Sequence, residues 1–269
     1  MKYRIFIGSA GFGYGEGWWW QKLLRIKVPE NVGIVTKTLT FRPIKKSWFQ
    51  VLKSIRVIRE KTELIGIVNR IGLINFGVEK WKKEIYPSLK CSKNIFVSLF
   101  SNSKEELFEN LKILKDCQIA GIELNISCPN YPTDFSFEKV KELCQIVKKE
   151  TRFPLILKIG LVNKEIFESL WKLKSLLEAI SLNSLPWEVV LNKPSPFKKG
   201  GGVSGKIVQK IQWELGFWLQ NISGIPVIFP SVWTTQDALY LLSEKKVPAI
   251  SVCSAFLLKP WILKSLNKI

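Results

Sequence analysis

Cys128 stands between Ser127 and Pro129, where an apolar run stops, so it is neither deep core nor an evident disulfide partner. A thiol in that place can take a proton from carbon if its pKa lies near the working pH, or it can be an inert packing residue, and the spacing leaves both readings open. Lys37 and Lys158 also sit at the ends of apolar runs. An ammonium there needs an anion, an electron-rich ring or a neighbouring carboxylate, because burying it unpaired costs several kcal/mol. Asn125, Asn130 and Asn183 offer donors and an acceptor without charge, which suits the amide edge of a planar heterocycle; they could equally cap turns, Asn130 after Pro129 above all. The run Gly200-Gly201-Gly202-Val203-Ser204-Gly205 precedes a helix-like segment and lets backbone amides approach a phosphate or a ring closely. Thr234 followed by Asp237 reads as a capping box, which puts a helix N-terminus at the corner where barrels of parallel strands bind phosphate.

Composition narrows the chemistry. The 269 residues contain no histidine, which removes Ser-His and Cys-His nucleophile pairs, His-rich metal sites and imidazole acid-base catalysis. Proton transfer is left to Cys, Lys, Tyr or a carboxylate. The five cysteines (Cys91, Cys117, Cys128, Cys144, Cys253) are odd in number, widely spaced and without a CxxC, so neither a disulfide framework nor a metal site is expected, and all but Cys128 read as packing residues. With 41 Lys+Arg against 22 Asp+Glu the formal charge is +19. Such a surplus steers anions toward the surface, yet the basic residues are scattered in pairs such as Lys45-Lys46 and Lys148-Lys149 with no long run, as solvated helix faces would also give. Nucleic acid is not expected as a partner. No stretch approaches the ~20 uncharged apolar residues of a membrane span, and the apolar run at the N-terminus is too short for a secretory signal. The expectation is a soluble, cytoplasmic protein without a membrane partner.

These candidate residues must be positioned by something. Eight apolar runs, nearly continuous and so suited to parallel strands buried on both faces, recur at 5–9, 33–38, 94–100, 119–127, 154–160, 179–183, 226–229 and 249–253. Helix-like segments are expected at 49–60, 104–116, 136–150, 164–177, 207–221, 235–244 and 256–267. The alternation predicts an α/β fold, one closed (β/α)8 barrel domain over 1–269, with chemistry at the C-terminal ends of the strands. Trp18-Trp19-Trp20 reads as cover for a barrel end.

In order along nearly the whole chain, the strand ends resemble the dihydroorotate dehydrogenase family, in its soluble branch with a cysteine base. The resemblance is carried by Ser9 with Phe12-Gly13-Tyr14-Gly15, Val35-Thr36-Lys37-Thr38, Asn69 with Ile71-Gly72-Leu73 and Asn75, Glu123-Leu124-Asn125-Ile126-Ser127-Cys128-Pro129-Asn130, Lys158, Asn183-Ser184, Gly202-Val203-Ser204-Gly205 and Asp237-Ala238. It implies an FMN-bearing barrel that oxidises dihydroorotate to orotate in pyrimidine synthesis. On that footing Cys128 is the base, Lys37 and Lys158 lie against the flavin, and Asn69, Gly72, Leu73, Asn125, Asn130, Asn183 and Ser184 hold the substrate. Gly8, Ser9, Ala10, Thr38, Ser204, Gly205, Ser231, Cys253 and Ser254 join the two lysines around the cofactor. The acceptor implied is fumarate or a partner subunit with FAD and an iron-sulfur cluster, and a homodimer is possible. Four features depart from the pattern: Ser231-Val232-Trp233 replaces a Gly-Gly phosphate loop, Cys253-Ser254 replaces Gly-Thr, the loop 131–136 after Cys128 is short and so implies a reduced lid over the base, and segment 41–67 is unusually basic. Two other readings remain, a tRNA dihydrouridine synthase-like FMN enzyme and a barrel that has lost FMN and serves as a binding subunit.

Overall fold

The computed structural model describes residues 1–89, 93–127, 135–161, 164–198 and 200–269. Cys91, Cys128, Pro129 and Asn130 lie outside them. The strands, in chain order, are β1 (Ile5–Ile7), β2 (Val32–Val35), β3 (Ile55–Glu60), β4 (Glu63–Asn69), β5 (Ile95–Leu99), β6 (Gly121–Asn125), β7 (Leu155–Ile159), β8 (Ala179–Leu182), β9 (Leu185–Pro186), β10 (Gly202–Ser204), β11 (Val227–Phe229) and β12 (Ala249–Val252). Among the described residues, eight of them close a parallel barrel in the order β1-β12-β11-β8-β7-β6-β5-β2. Each of the eight expected runs supplies one of these strands, shortened in every case, with β2 beginning one residue before its run. Helices follow from ordinary signals. Lys104–Leu114 starts at Ser103, whose hydroxyl accepts from Glu106 N, and carries Glu105 and Glu106 in its first turn. Phe137–Glu150 starts at Ser136 and buries Val140, Leu143, Cys144 and Val147, a single helical stripe, against the barrel.

The barrel interior is layered. Glu123 on β6 accepts a hydrogen bond from Ser181 on β8, although β7 separates those strands, so both side chains point inside. Ser98 on β5 and Lys158 on β7 meet the same carboxylate. Side chains two residues earlier point the same way: Phe96, Ile156 and Ala179 join Phe6, Ile228 and Ala249 in an apolar layer beneath. Gly121, two before Glu123, makes room for this layer, since a Cβ there would lie 2.6 Å from the Phe96 ring. Branched apolars would ordinarily fill both levels; here only the lower one is apolar.

Four expectations are corrected. The segment 49–60 is not one helix: Trp48–Lys53 is helical, and Ile55–Glu60 pairs antiparallel with β4 across the turn at Lys61 (φ 52°). Only Ile58 of this strand is buried and its register shifts at Ile58/Arg59, so the sequence carries no period of two to mark it. β3 and β4 continue with β10 and β9 into a four-stranded sheet outside the barrel, so half of the glycine run, Gly202–Ser204, is strand, and only Gly205 at its end opens the expected helix, through a 3-10 turn Lys206–Val208. The segment 164–177 breaks into Lys164–Phe167 and a 3-10 turn Leu170–Leu173. Pro260, lacking an N–H, splits 256–267 into Ser254–Leu258 and Ile262–Leu266. The basic residues of 41–67 lie on the Trp48–Lys53 helix, its approach and the β3–β4 hairpin, where Arg56 and Arg59 are exposed.

Candidate active site

A cleft opens at the C-terminal ends of the barrel strands, walled on its outer side by the four-stranded sheet. Its lining includes Gly8 and Ser9 after β1, Lys158 on β7, Asn183 and Ser184 after β8, Ser231 and Trp233 after β11, and Cys253 and Ser254 after β12. The outer sheet contributes Asn69 at the end of β4 and Ser204-Gly205 at the end of β10. Backbone pairing of Asn69 with Gly202 brings these together across 133 residues of sequence. Glycine is required at Gly205: φ is 116°, and a Cβ would lie 2.6 Å from Gly66 Cα and 3.0 Å from the Trp233 ring.

The floor beneath Lys158 is a buried polar network. Glu123, 2 % exposed, accepts from Ser98 Oγ at 2.8 Å and Ser181 Oγ at 2.9 Å, and its Oε1 lies 3.7 Å from Lys158 Nζ. Of the alternatives for Lys158, the carboxylate partner is therefore real, and Lys158 faces the cleft as well. Sequence reasoning quoted Glu123 only within a motif and missed its role; a carboxylate in the middle of an apolar strand run was the available signal. Proton counting fixes the direction of the chain leading to it. Ser98 gives its proton to Glu123 and Ser9 gives its own to the Thr36 carbonyl, so Thr38 Oγ1 donates to Ser98 Oγ at 2.9 Å. Thr38 in turn accepts from Asn125 Nδ2 at 3.0 Å, while Asn125 Oδ1 accepts from Ser127 N.

The expected site residues thus divide. Gly8, Ser9, Asn69, Lys158, Asn183, Ser184, Ser204, Gly205, Ser231, Cys253 and Ser254 line one cleft. Asn125 and Thr38 are buried beneath it as the network just described, which leaves Asn125 one amide hydrogen for a guest. Ala10 lies outside the lining and gives its carbonyl to Trp18 Nε1, which makes Trp18 cover as expected; neighbouring Trp19 is exposed. Gly72 (φ 76°) and Leu73 follow β4 away from the lining, Leu73 packed in the core with its carbonyl bonded to Asn75. Lys37 is half-buried just past β2, its N–H bonded to Gly13 O. Asn183 donates to the Ser127 carbonyl and accepts from Ser184 N at 2.8 Å.

The β11–β12 side differs from expectation. The capping box is present, but Asp237 Oδ2 accepts from Trp233 N at 2.9 Å, Thr234 N at 2.8 Å and Gln209 Nε2 at 2.7 Å. Those amides are already matched to a carboxylate and cannot also hold a phosphate. Ser231 Oγ donates to Gln212 Oε1, and Ser204 and Ser254 hydroxyls bond to each other at 2.6 Å. Trp233 is buried, and its Nε1 has no partner among the described residues. Cys253 is pushed up to about 11 by burial, with Lys158 lowering and Glu123 raising it, and so stays a thiol near neutrality. Burial also raises Cys117 and takes Cys144 to about 12.

This lining fits FMN. Lys158 offers a fixed cation to a ring that becomes electron-rich on reduction, Gly8 and Gly205 allow close backbone approach, the hydroxyl oxygens of Ser9, Ser204 and Ser254 offer acceptors to a polyol chain, and the unspent Trp233 N–H offers a donor. Trp233 lines the cleft without closing it. The enclosed space is about 150 Å³, below the ~300–1,000 Å³ of most small-molecule pockets, so a guest of that size would extend past the mouth. No cluster of His, Cys, Asp or Glu suited to a metal occurs among the described residues, and none of their helices is long and apolar enough to cross a membrane.

Comparison with known proteins agrees with this geometry. The barrel resembles solved structures at low identity: the tryptophan synthase complex from Pyrococcus furiosus (TM-score 0.53, 12 % identity, covering 100 % of this chain and 98 % of that one) and a citrate lyase from Burkholderia xenovorans (0.54, 9 %, 99 % and 77 %). These show the fold alone. A family model described as dihydroorotate dehydrogenase matches residues 53–244. The catalytic subunit of dihydroorotate dehydrogenase B (NAD(+)) from Thermodesulfovibrio yellowstonii is 30 % identical over 97 % of this chain and 86 % of its own length. The Geotalea uraniireducens protein of the same name is 28 % identical over 97 % and 85 %. A protein from Aquifex aeolicus that is 30 % identical over 89 % of this chain and 79 % of its own carries a name of the fumarate type A. With the barrel, the cleft and the matched sequence in agreement, the chain belongs to the dihydroorotate dehydrogenase family of FMN-dependent oxidoreductases.

Proposed function

We propose that the whole of 1–269 acts as one catalytic unit that oxidises dihydroorotate to orotate, with Cys128 taking the proton from the substrate's ring carbon. The observation that carries this reading is the convergence on one cleft of Lys158, Asn69, Asn183 and Ser184, with the Ser127 backbone tied to both Asn125 and Asn183 immediately before Cys128. Bound FMN supplies a two-electron acceptor for the hydride that leaves the substrate. The protein's own residues do the rest. Asn69, Asn183 and Ser184 face the guest with donors and acceptors for the cyclic amide and carboxylate, Asn125 adds its one free amide hydrogen, and Asn130 completes the hold. Lys37 and Lys158 set positive charge beside the ring. Electrons then leave to NAD(+) through a partner subunit or to fumarate, the acceptors that the names of the relatives carry.

The test is optical. Purified protein should be yellow with flavin, or become so on soaking with FMN, and dihydroorotate should bleach it. Cys128→Ser should slow bleaching about 10²–10⁴-fold at neutral pH, the usual contribution of a positioned base. Undiminished bleaching in that variant rejects the base, and failure to take up flavin rejects the enzyme reading in favour of a barrel that only binds.

A further inference from the structure

We propose that Glu123 is a positioning residue that acts through Lys158 to set how strongly the site favours reduced over oxidised flavin. This rests on the flavin reading above and goes past it, since Glu123 does not line the cleft. A buried ion pair is a weak stabiliser; apolar residues of the same volume usually serve as well or better. Here the pair stands at a level of the barrel interior normally packed with branched apolars. Its carboxylate meets three groups from three different strands: the hydroxyls of Ser98 and Ser181 donate to it at 2.8 and 2.9 Å, and the Lys158 ammonium forms an ion pair with it at 3.7 Å. The ammonium has no comparable latitude: its side chain is 12 % exposed, and the exposed part is in the cleft. Glu123 therefore does two things to the charge a guest meets. It holds the ammonium at the floor, and it offsets part of its positive field. The same carboxylate terminates the directional chain Asn125 to Thr38 to Ser98, so it also orders the amide that grips the Ser127 backbone.

The experiment is a reductive titration of the FMN-loaded protein against reference dyes, giving the ratio of affinities for reduced and oxidised flavin. Glu123→Gln keeps the volume and removes the negative charge, leaving the ammonium uncompensated. The ratio should rise about tenfold, which for a two-electron couple is a shift of about 30 mV toward positive potential. Lys158→Gln should move it the opposite way. In the Lys158→Gln background the Glu123→Gln effect should shrink to less than threefold, because the carboxylate has lost the group through which it acts. A fully yellow Glu123→Gln protein with an unchanged ratio overturns the proposal, as does an equal shift in both backgrounds. Should Glu123→Gln not fold, Ser181→Ala takes its place: it removes one donor, leaves the carboxylate charge less shared, and should lower the ratio about twofold; no movement there is equally fatal. A wild-type protein that takes up no flavin refutes the functional reading instead, so the two failures are separable.

Discussion

The two walls of the cleft are built on opposite plans. On the β6–β8 side the polar groups are tied to one another: Glu123 to two hydroxyls and the Lys158 ammonium, Asn125 and Asn183 to neighbours, Ser127 between them. On the β11–β12 side the backbone amides are committed to Asp237, while the Trp233 indole N–H has no partner among the described residues. One wall is pre-organised around charge and the other holds an unspent donor. The difference teaches where substitution should be felt as stability and where as affinity.

The largest effect expected is Glu123→Ala. It leaves Lys158 unpaired and Ser98 and Ser181 without their acceptor, and should lower unfolding stability by about 3 kcal/mol, seen in the urea midpoint at constant slope. A loss below about 1 kcal/mol would erase the contrast between the walls. Gly205→Ala comes next, at about 2 kcal/mol, because φ at 116° and the contact with Gly66 leave no room for a methyl group. Trp233→Phe keeps the bulk and removes the N–H. Stability should hardly change, while FMN dissociation from the apoprotein, followed by flavin fluorescence, should be about fivefold easier, the worth of one ordinary hydrogen bond. Equal losses of stability and affinity would break the comparison. A separate effect, seen only in alkaline solution and so outside that order, is with pH. Cys253 and Cys144 have folded-state values raised to about 11 and about 12 from 9.0. A raised value in the folded state means a contribution present below the unfolded pKa and lost as pH climbs through the interval. The urea midpoint should fall between about pH 9 and pH 11, and by less in Cys253→Ser.

The barrel was legible in the sequence because parallel strands buried on both faces leave uninterrupted apolar runs, and such a run needs no partner to be recognised. The outer sheet was not. β3 reads Ile-Arg-Val-Ile-Arg-Glu, whose charges suggested a solvated helix, and β10 is three residues inside a glycine run that could serve several purposes. Cleft residues at strand ends were found where their type was out of place among apolars. Glu123 escaped because the partner that explains it, Ser181, lies on another strand of the ring, and sequence distance carries no trace of that contact. The Trp233 substitution was visible, whereas the saturation of its neighbouring amides by Asp237 depended on geometry alone.

The pairing of β4 with β10 has a consequence for how the molecule is made. Asn69 meets Gly202, and Ser204 meets Ile67. During synthesis the chain through β8 emerges before the strand that completes the outer side exists. The outer sheet therefore stays incomplete until residue 204 has left the ribosome, and the barrel itself stays open until β12 has followed and paired with β1, both late, long-range contacts of a slow class to form. Ser231, Trp233, Cys253 and Ser254 emerge later still, so the last part of the cleft to be made is the side that holds the unspent indole N–H.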